Sequence, residues 1–257
     1  MDKNALSVRE LKNLFAQSDE ITQKKLIEQY NHDSRAGVQA LLKQVQGRIA
    51  KNEQESKRLK ELWLIEDELY QEGCQYICGC DEVGRGPLAG PVVAAAVIMP
   101  RDCLIYGVND SKKVTHARRL ELAEEIKGKA LAYAISEISP RIIDAVNILQ
   151  ASRLAMAEAV KNLTLPADFI VVDGWANPLF ELPQKAIVKG DGKCFSIACA
   201  SILAKVYRDE LMEKLEEKYP GYGFAQHKGY PTKEHYEALK RLGPSDIHRI
   251  SFDLKLQ

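Results

Sequence analysis

The sequence predicts an α/β protein in which a mixed β-sheet is flanked by helices, with a helical N-terminal extension and a helical C-terminal segment. Two observations predict this class. The first seventy or so residues are rich in Gln, Lys and Glu and poor in β-branched residues, as helices prefer. After them, short apolar runs first follow one another directly and then alternate with helical patterns, which is typical of a mixed sheet.

The N-terminal extension contains three helical patterns. The stretch SVRE (Ser7 to Glu10) is a capping box that opens a short helix, and Asp19 is placed to cap a second one. A third pattern runs from Ser34 to about Tyr70. We therefore predict a helical extension over residues 1–70 and a sheet domain over residues 71–257.

The sheet domain alternates between strand and helix patterns. Strands are predicted over residues 76–80, 92–99, 131–139, 168–174 and 185–192. Helices are predicted over residues 117–129, 140–162, 195–218 and 233–241. The third strand leads into Pro140, and proline is favoured in the first turn of a helix.

Composition excludes several classes of protein. Lys and Arg (36) balance Asp and Glu (36), so the global charge gives no sign of a polyanion partner, although a local basic groove is compatible with it. The six cysteines lack the spacing of a metal or disulfide framework, which indicates buried, reduced thiols. The N-terminus is charged and has no apolar signal segment, and no apolar run approaches a membrane span. We expect a cytoplasmic protein.

Carboxylates follow three of the predicted strands. Asp81 and Glu82 end the first strand, and Asp173 and Asp191 end two later ones. Gathered at one sheet edge, these acids would repel one another unless Mg²⁺ or Mn²⁺ neutralised them, and two such ions suit attack on a phosphodiester. Adjacent strand residues face opposite sides, so Asp81 and Glu82 can both reach one site only if the strand bends or ends there, and Val83-Gly84 is a plausible place for the chain to turn. The alternative is that each acid is an ordinary turn residue.

A glycine-rich loop follows the first two acids. Gly84 and Gly86 leave main-chain groups open to a ligand, and Arg85 between them can contact phosphate. The loop is neither a dinucleotide-binding fingerprint nor a Walker loop, since no helix follows it. A tight turn accounts for residues 87–91 but not for the acids before them.

These motifs resemble ribonuclease HII, the bacterial type 2 ribonuclease H. The stretch DEVGRGPLAGPVV is similar to the signature of that family, and its GRG pattern distinguishes it from ribonuclease HIII. Five further blocks follow in order: NDSKK, VVDG, KGDGKCFSIACASILAKVYRD, HKGYPT and GPSDIHRISF. The resemblance covers about residues 71–252.

The resemblance implies an RNase H-like fold and an endonuclease dependent on Mn²⁺ or Mg²⁺. It implies hydrolysis on the 5′ side of ribonucleotides in DNA duplexes or RNA–DNA hybrids, leaving 3′-hydroxyl and 5′-phosphate ends. This activity would remove ribonucleotides from DNA during replication and repair. We expect a monomer that needs neither a membrane nor a small-molecule cofactor, with the extension strengthening substrate binding.

The resemblance also implies roles for individual residues. Asp81, Glu82, Asp173 and Asp191 would be the catalytic, metal-binding acids. The substrate-binding residues would be Gly84, Arg85 and Gly86, which read the 2′-hydroxyl through main-chain groups, together with Ser111, Lys112 and Tyr230. Lys112 would contact phosphate, and Tyr230 the sugar at the RNA–DNA junction.

Other residues and other functions stay open at this point. Lys205 and Arg208 either contact the uncut strand or form a solvated face, and Trp175 is expected to pack. The three histidines at 227, 235 and 248 lack metal-ligand spacing. Two alternative functions are a nuclease of the same fold that cuts only long hybrids, and a hybrid-binding protein without chemistry.

Overall fold

The computed structural model describes residues 6–256; Met1 to Ala5, part of the charged N-terminus, and Gln257 lie outside the described residues. The chain divides into two compact units, Met1–Arg58 and Leu59–Gln257. None of the helices in the described part is long and apolar enough to cross a membrane.

The first unit is helical, as predicted. It contains α1 (Val8–Gln17), α2 (Glu20–Tyr30) and most of α3 (Ala36–Leu62). The predicted capping box is present: the Glu10 amide donates to Ser7 Oγ (3.3 Å), and the Ser7 amide donates to Glu10 Oε2 (2.8 Å). Asp19 caps α2 by accepting a hydrogen bond from the Thr22 amide (2.7 Å). These helices bury a small core of their own, made of Leu11, Phe15, Val38, Leu41, Leu42, Val45 and Ile49.

The second unit begins with the end of α3 and with α4 (Leu64–Gln71). The single helix predicted up to about Tyr70 is broken at Trp63. The Trp63 ring stacks on Phe195 at 4.8 Å between centroids, and its Nε1 donates to the Cys103 carbonyl (2.9 Å). The break therefore falls at a side chain that is buried in the core of the second unit.

A five-stranded mixed sheet forms the centre of the second unit. Its strands are β1 (Ile77–Val83), β2 (Val92–Ile98), β3 (Ala132–Ile138), β4 (Phe169–Asp173) and β5 (Gln184–Ile187), in the order β3-β2-β1-β4-β5. β2 pairs antiparallel with β1 and β3, whereas β4 pairs parallel with β1 and β5. The mixed α/β class is therefore confirmed.

Helices cover both faces of this sheet. They are α5 (His116–Lys129), α6 (Pro140–Val146), α7 (Ile148–Lys161) and α8 (Phe195–Lys218), followed by α9 (Phe224–His227) and α10 (Lys233–Leu242). α5 and α8 pack on the face that carries Val93 and Val97, and α7 packs on the face that carries Cys78 and Cys80. Because both faces are buried, β2 is apolar without alternation.

One helix predicted over residues 140–162 is two helices in the structure. Asn147 separates α6 from α7 with φ of 70° and ψ of 163°, a strained conformation for a residue other than glycine. Its side chain then caps α7 by accepting hydrogen bonds from the amides of Leu149 (3.0 Å) and Gln150 (3.1 Å). The helical periodicity is the same on both sides of the break, so the pattern alone did not reveal it.

The helix α8 approaches β1 closely at a glycine. A Cβ atom at Gly79 would overlap the main chain of Ser196 and Ile197. The missing side chain lets the first turns of α8 lie against β1, which brings one face of α8 next to the end of that strand.

A buried carboxylate caps the same end of α8. Glu66, on α4, is 1% exposed, and its Oε1 accepts from the amide and the hydroxyl of Ser196 (both 2.9 Å). Its Oε2 has no hydrogen-bond partner among the described residues. Burial raises the pKa of Glu66, so the charged form is unfavourable in the folded chain.

We expect Glu66→Gln to stabilise the protein relative to wild type at alkaline pH. The pKa of Glu66 is higher in the folded chain than in the unfolded chain, so protonated Glu66 favours folding. This contribution to stability is fully present below the pKa of the unfolded chain, and it is lost as pH rises through the pKa of the folded chain. The glutamine keeps the acceptor for Ser196 without a buried charge. Glu66→Ala leaves both Ser196 donors unpaired, which costs ~1–3 kcal/mol each. Urea unfolding between pH 5 and about 8 measures both variants; a pH-independent difference between wild type and Glu66→Gln contradicts this account.

Candidate active site

All ten residues that the sequence analysis assigned to the site line a single cavity of about 510 Å³. They are Asp81, Glu82, Gly84, Arg85, Gly86, Ser111, Lys112, Asp173, Asp191 and Tyr230, and Val83, Ser201 and Lys205 join them. The cavity lies beyond the carboxyl end of β4, where ligands bind in open α/β sheets.

Asp81 and Glu82 lie within β1, not after it as predicted. They pair with Ala95 and Ala94 of β2, so their side chains leave opposite faces of the sheet. Both still reach the cavity because the other edge of β1 is open here. The last pair between β1 and β4 is Cys80 with Val172, and β4 ends one residue later. β1 does not end at these acids, because its pairing with β2 continues to Val83 and Val93.

Asp191 is carried by a turn, not by a strand end as predicted. β5 stops at Ile187, and Lys189 adopts the left-handed conformation with φ of 57°. A 3₁₀ turn over Gly190–Gly192 follows, and its Gly190 amide donates to Asp173 Oδ1 (2.6 Å). Asp173 therefore stabilises the turn that carries Asp191.

The four acids influence one another electrostatically. Burial raises the pKa of Asp81 well above its usual range, and the charges of Glu82 and Asp173 raise it further. Burial raises the pKa of Glu82 against the opposing effect of Arg85, whose Nη1 lies 3.2 Å from Glu82 Oε1. The pKa of Asp191 is raised by burial, then by Asp110 and Asp173. Gathering these carboxylates without a cation therefore costs free energy.

The chemical nature of these four side chains suits a hard divalent cation. All four groups are carboxylates, which Mg²⁺ and Mn²⁺ bind in preference to softer ligands. In the conformation described for residues 6–256, no three His, Cys, Asp or Glu side chains are grouped closely enough to hold a metal ion. Binding an ion would draw the carboxylates of this cavity together.

The glycine-rich loop connects the antiparallel strands β1 and β2, and buried arginines donate hydrogen bonds to its carbonyls. Arg208 was predicted to contact substrate or solvent, but it is 0% exposed and donates to the carbonyls of Pro91, Ala89 and Lys228 (3.0–3.1 Å). The predicted role is wrong because α8 turns this residue inward, beneath the loop.

Ser111 and Lys112 reach the cavity from the loop before α5. Ser111 is buried, and its Oγ lies 3.0 Å from Ser201 Oγ on α8. The Lys112 amide donates to Asp110 Oδ1 (2.9 Å). The positive charge of the Lys112 side chain opposes the rise in the pKa of Asp191.

Lys205 also lines the cavity, with Arg85 and Lys112, and it is held by an ion pair rather than solvated. Its Nζ lies 2.7 Å from Asp209 Oδ1, one turn further along α8. Asp209 is itself buried and lies 3.7 Å from Arg119. Burial lowers the pKa of Lys205.

The histidines support Tyr230, and Trp175 does not pack. His235 bonds through Nδ1 to the Tyr230 carbonyl (2.9 Å) and through Nε2 to His248 Nε2 (3.0 Å). Since the Ser245 amide donates to His248 Nδ1 (2.9 Å), neutral His248 donates from Nε2 and neutral His235 donates to Tyr230. Trp175 is 77% exposed, so the prediction that it packs is wrong.

Sequence reasoning missed three residues that shape the site: Glu66, Asp110 and Arg249. Asp110 lies in the NDSKK block, and Arg249 in the final HRISF stretch, so both blocks were noted without these residues being assigned. Glu66 carried no local signal, because a glutamate on a charged helix is ordinarily exposed.

Comparisons with known proteins show the family of the chain. A sequence profile described as Ribonuclease HII matches residues 78–255, and another, described as Ribonuclease HII N-terminal domain, matches residues 7–70. The chain is 53% identical over 188 residues to the ribonuclease HII of Caldicellulosiruptor bescii, covering 73% of this chain and 91% of that one.

Solved structures share the fold. The ribonuclease H2 from Pyrococcus horikoshii OT3 matches with a TM-score of 0.58 and 29% identity, covering 70% of this chain and 95% of that one. Bst-RNase HIII, crystallised with Mn²⁺, matches in fold with a TM-score of 0.55 and 18% identity, over 72% and 69% of the two chains. The chain belongs to the ribonuclease HII family of type 2 ribonucleases H, hydrolases that act on RNA–DNA hybrids.

Proposed function

We propose that the protein uses divalent metal ions to hydrolyse the phosphodiester on the 5′ side of a ribonucleotide, in duplex DNA as well as in RNA–DNA hybrids. The products would carry 3′-hydroxyl and 5′-phosphate ends, and the biological role would be removal of ribonucleotides from DNA. The observation that carries the proposal is the convergence of four acids and the glycine loop on one cavity.

Asp81, Glu82, Asp173 and Asp191 would hold Mg²⁺ or Mn²⁺. Bound ions would stabilise the negative charge that develops on the phosphate and lower the pKa of an attacking water. The mutual effect of these acids on their pKa values supports a cationic ligand, and so does the Mn²⁺ in the structure of Bst-RNase HIII. Lys112 and Lys205, which line the same cavity, would bind and orient the phosphate backbone.

The main chain at Arg85 and Gly86 would read the 2′-hydroxyl group. Within residues 6–256, neither amide has a hydrogen-bond acceptor, so both are available to a substrate oxygen. A hydroxyl is the group that separates RNA from DNA, and main-chain donors recognise it whatever the base.

A duplex with a single ribonucleotide tests the proposal. Incubation with Mg²⁺ or Mn²⁺ should give one nick, 5′ to the ribonucleotide, with a 3′-hydroxyl end. Cutting confined to runs of ribonucleotides would favour a nuclease of long hybrids. Binding without a cut would favour a protein that has lost the chemistry.

We expect Tyr230→Ala to reduce kcat/KM more on a single ribonucleotide than within a long RNA–DNA hybrid. The Tyr230 ring lies beside the glycine loop, 3.8 Å from where a Cβ of Gly86 would be, and it is partly exposed to the cavity. It would pack on the sugar at the RNA–DNA junction, which a long hybrid does not require. Tyr230→Phe keeps the ring and is the matched control. Equal losses on both substrates would remove Tyr230 from this role.

We propose that the N-terminal extension, residues 1–70 by sequence, strengthens substrate binding and supplies no catalytic group. Every lining residue of the cavity lies after it in the chain. Leu59, Leu62, Trp63, Glu66 and Leu69, however, belong to the buried interior of the second unit. A truncated chain should therefore start at Leu59.

That truncated chain, Leu59–Gln257, should fold and retain kcat while KM for the duplex rises by about tenfold, a loss of ~1.4 kcal/mol in binding. A second truncation starting at Gln71 should unfold at lower temperature, because it lacks Trp63 and Glu66. A folded Leu59 chain without cleavage would show that the extension takes part in the chemistry.

We also propose that the protein acts as a monomer in the cytoplasm. A single chain provides all the lining residues of the cavity, and its cysteines are free thiols. Light scattering at assay concentrations should give the mass of one chain.

A further inference from the structure

Two buried arginines lie behind the glycine loop, Arg208 on α8 and Arg249 in the C-terminal segment. Both are 0% exposed, and within the described part of the chain neither forms an ion pair with a carboxylate. Burial lowers the pKa of Arg208 to about 10, and burial together with the Arg208 charge lowers that of Arg249 to about 9. Burying two like charges is costly, and their main compensation is hydrogen bonding to carbonyls.

The carbonyls that Arg249 binds belong to the loop residues proposed to read the ribonucleotide. Arg249 Nη2 donates to the Gly84 carbonyl (2.6 Å) and Nη1 to the Arg85 carbonyl (3.1 Å). Its Nε donates to the carbonyl of Gly90 (3.0 Å), at the other end of the loop. One planar guanidinium therefore spans the loop and binds three of its peptides.

Fixing these carbonyls also fixes the amides on the other side of each peptide. A trans peptide is planar, with its C=O and N–H pointing in opposite directions. The Gly84 carbonyl shares a peptide with the Arg85 amide, and the Arg85 carbonyl shares one with the Gly86 amide. With both carbonyls held toward Arg249, both amides point away from it, and neither has a hydrogen-bond acceptor within residues 6–256.

We propose that Arg249 is a positioning residue that orients the Arg85 and Gly86 amides for the 2′-hydroxyl, with Arg208 tying the loop to the Tyr230 segment. This rests on the proposed role of the loop. Arg208 Nη1 donates to the Lys228 carbonyl, and the Leu88 amide donates to Gly229, so the two substrate-facing segments are held as one piece. Arg249 itself is anchored by Asp144, whose carboxylate accepts from the next two amides, those of Ile250 (3.0 Å) and Ser251 (2.9 Å).

The test measures binding rather than cleavage. Affinities of wild type and Arg249→Lys are measured without divalent ions for two duplexes of the same sequence, one all-deoxy and one with a single ribonucleotide. Lysine keeps the charge but cannot span three carbonyls. We expect unchanged affinity for the all-deoxy duplex and a preference for the ribonucleotide reduced about tenfold, the factor for roughly one lost hydrogen bond.

A second pair of variants tests the same role without changing Arg249, in case Arg249→Lys does not fold. Asp144→Ala loosens the anchor of Arg249 from a partly exposed position and should reduce the same preference by about threefold. Arg141→Ala, exposed on the same helix, is the matched control and should leave it unchanged.

If folded Arg249→Lys keeps the wild-type preference, the positioning role is overturned. If Arg249→Lys does not fold, Asp144→Ala decides in the same way: a reduced preference supports the role and an unchanged one overturns it. A wild type that binds both duplexes equally would instead refute the proposed reading of the 2′-hydroxyl itself.

Discussion

Asp173→Asn and Asp81→Asn are each expected to reduce cleavage of a ribonucleotide-containing duplex by on the order of 10³-fold or more, a barrier increase of at least ~4 kcal/mol. Each substitution removes a carboxylate from a set that we propose holds the metal ions. The effect of Asp173 reaches other acids of the site, because its charge raises the pKa of both Asp81 and Asp191.

The same substitutions are expected to raise the melting temperature in the absence of divalent ions by a few degrees. Asp81 is 5% exposed, and removal of its charge relieves repulsion from Glu82 and Asp173. The asparagine Oδ1 can still accept from the Glu82 amide, which donates to Asp81 Oδ1 at 2.8 Å in the structure. Loss of rate together with gained stability separates a functional acid from a structural one.

Asp110→Asn is the matched control for this experiment. It removes the same charge beside Asp191, but Asp110 is not among the residues that line the cavity. We expect its rate to stay within about tenfold of wild type. If Asp173→Asn retained a comparable rate in Mg²⁺, the assignment of the four acids would be wrong.

Gly84→Ala and Gly86→Ala are expected to fail in different ways, although only one residue separates them. Gly84 has φ of 91°, and a Cβ there would overlap the Arg208 side chain and lie 3.0 Å from the Pro91 carbonyl oxygen. Gly86 has no such strain, and its Cβ would meet only the Tyr230 ring at 3.8 Å.

Gly84→Ala should therefore lower the free energy of unfolding by ~2–4 kcal/mol and abolish cleavage of single ribonucleotides and hybrids alike. Gly86→Ala should keep the wild-type unfolding free energy and lose cleavage only, because its Cβ stands where substrate approaches. Urea unfolding and kcat/KM on both substrates give the comparison. Equal destabilisation by the two alanines would contradict the conformation described for this loop.

The reason for the Gly84 effect differs from what the sequence suggested. Glycines beside two acids indicated close approach of a ligand to the main chain, and at Gly86 a Cβ would meet only the Tyr230 ring, at 3.8 Å. At Gly84 the close approach is internal, made by a buried arginine that lies 124 positions later in the chain. A pattern of adjacent residues carries no information about a partner so distant in sequence.

Local chemistry determined much of this protein. The capping box at Ser7, the Asp19 cap, the apolar run of β2 and the helix from Phe195 to Lys218 all follow from short-range patterns, because each element is stabilised first by its own neighbours. The ten residues proposed for the site were likewise identified from contiguous motifs that resemble one family, and they line one cavity.

Tertiary packing decided what those motifs left open. Asp81 and Glu82 share a cavity because β4 stops beside an open edge of β1, and Asp191 joins them on a turn held by Asp173. Glu66 and the arginines at 208 and 249 are buried, although their residue types are ordinarily exposed. The arginines donate to main-chain carbonyls, and Glu66 accepts from the amide and the hydroxyl of Ser196. Main-chain groups occur in every residue, so only the folded chain shows which of them are bound.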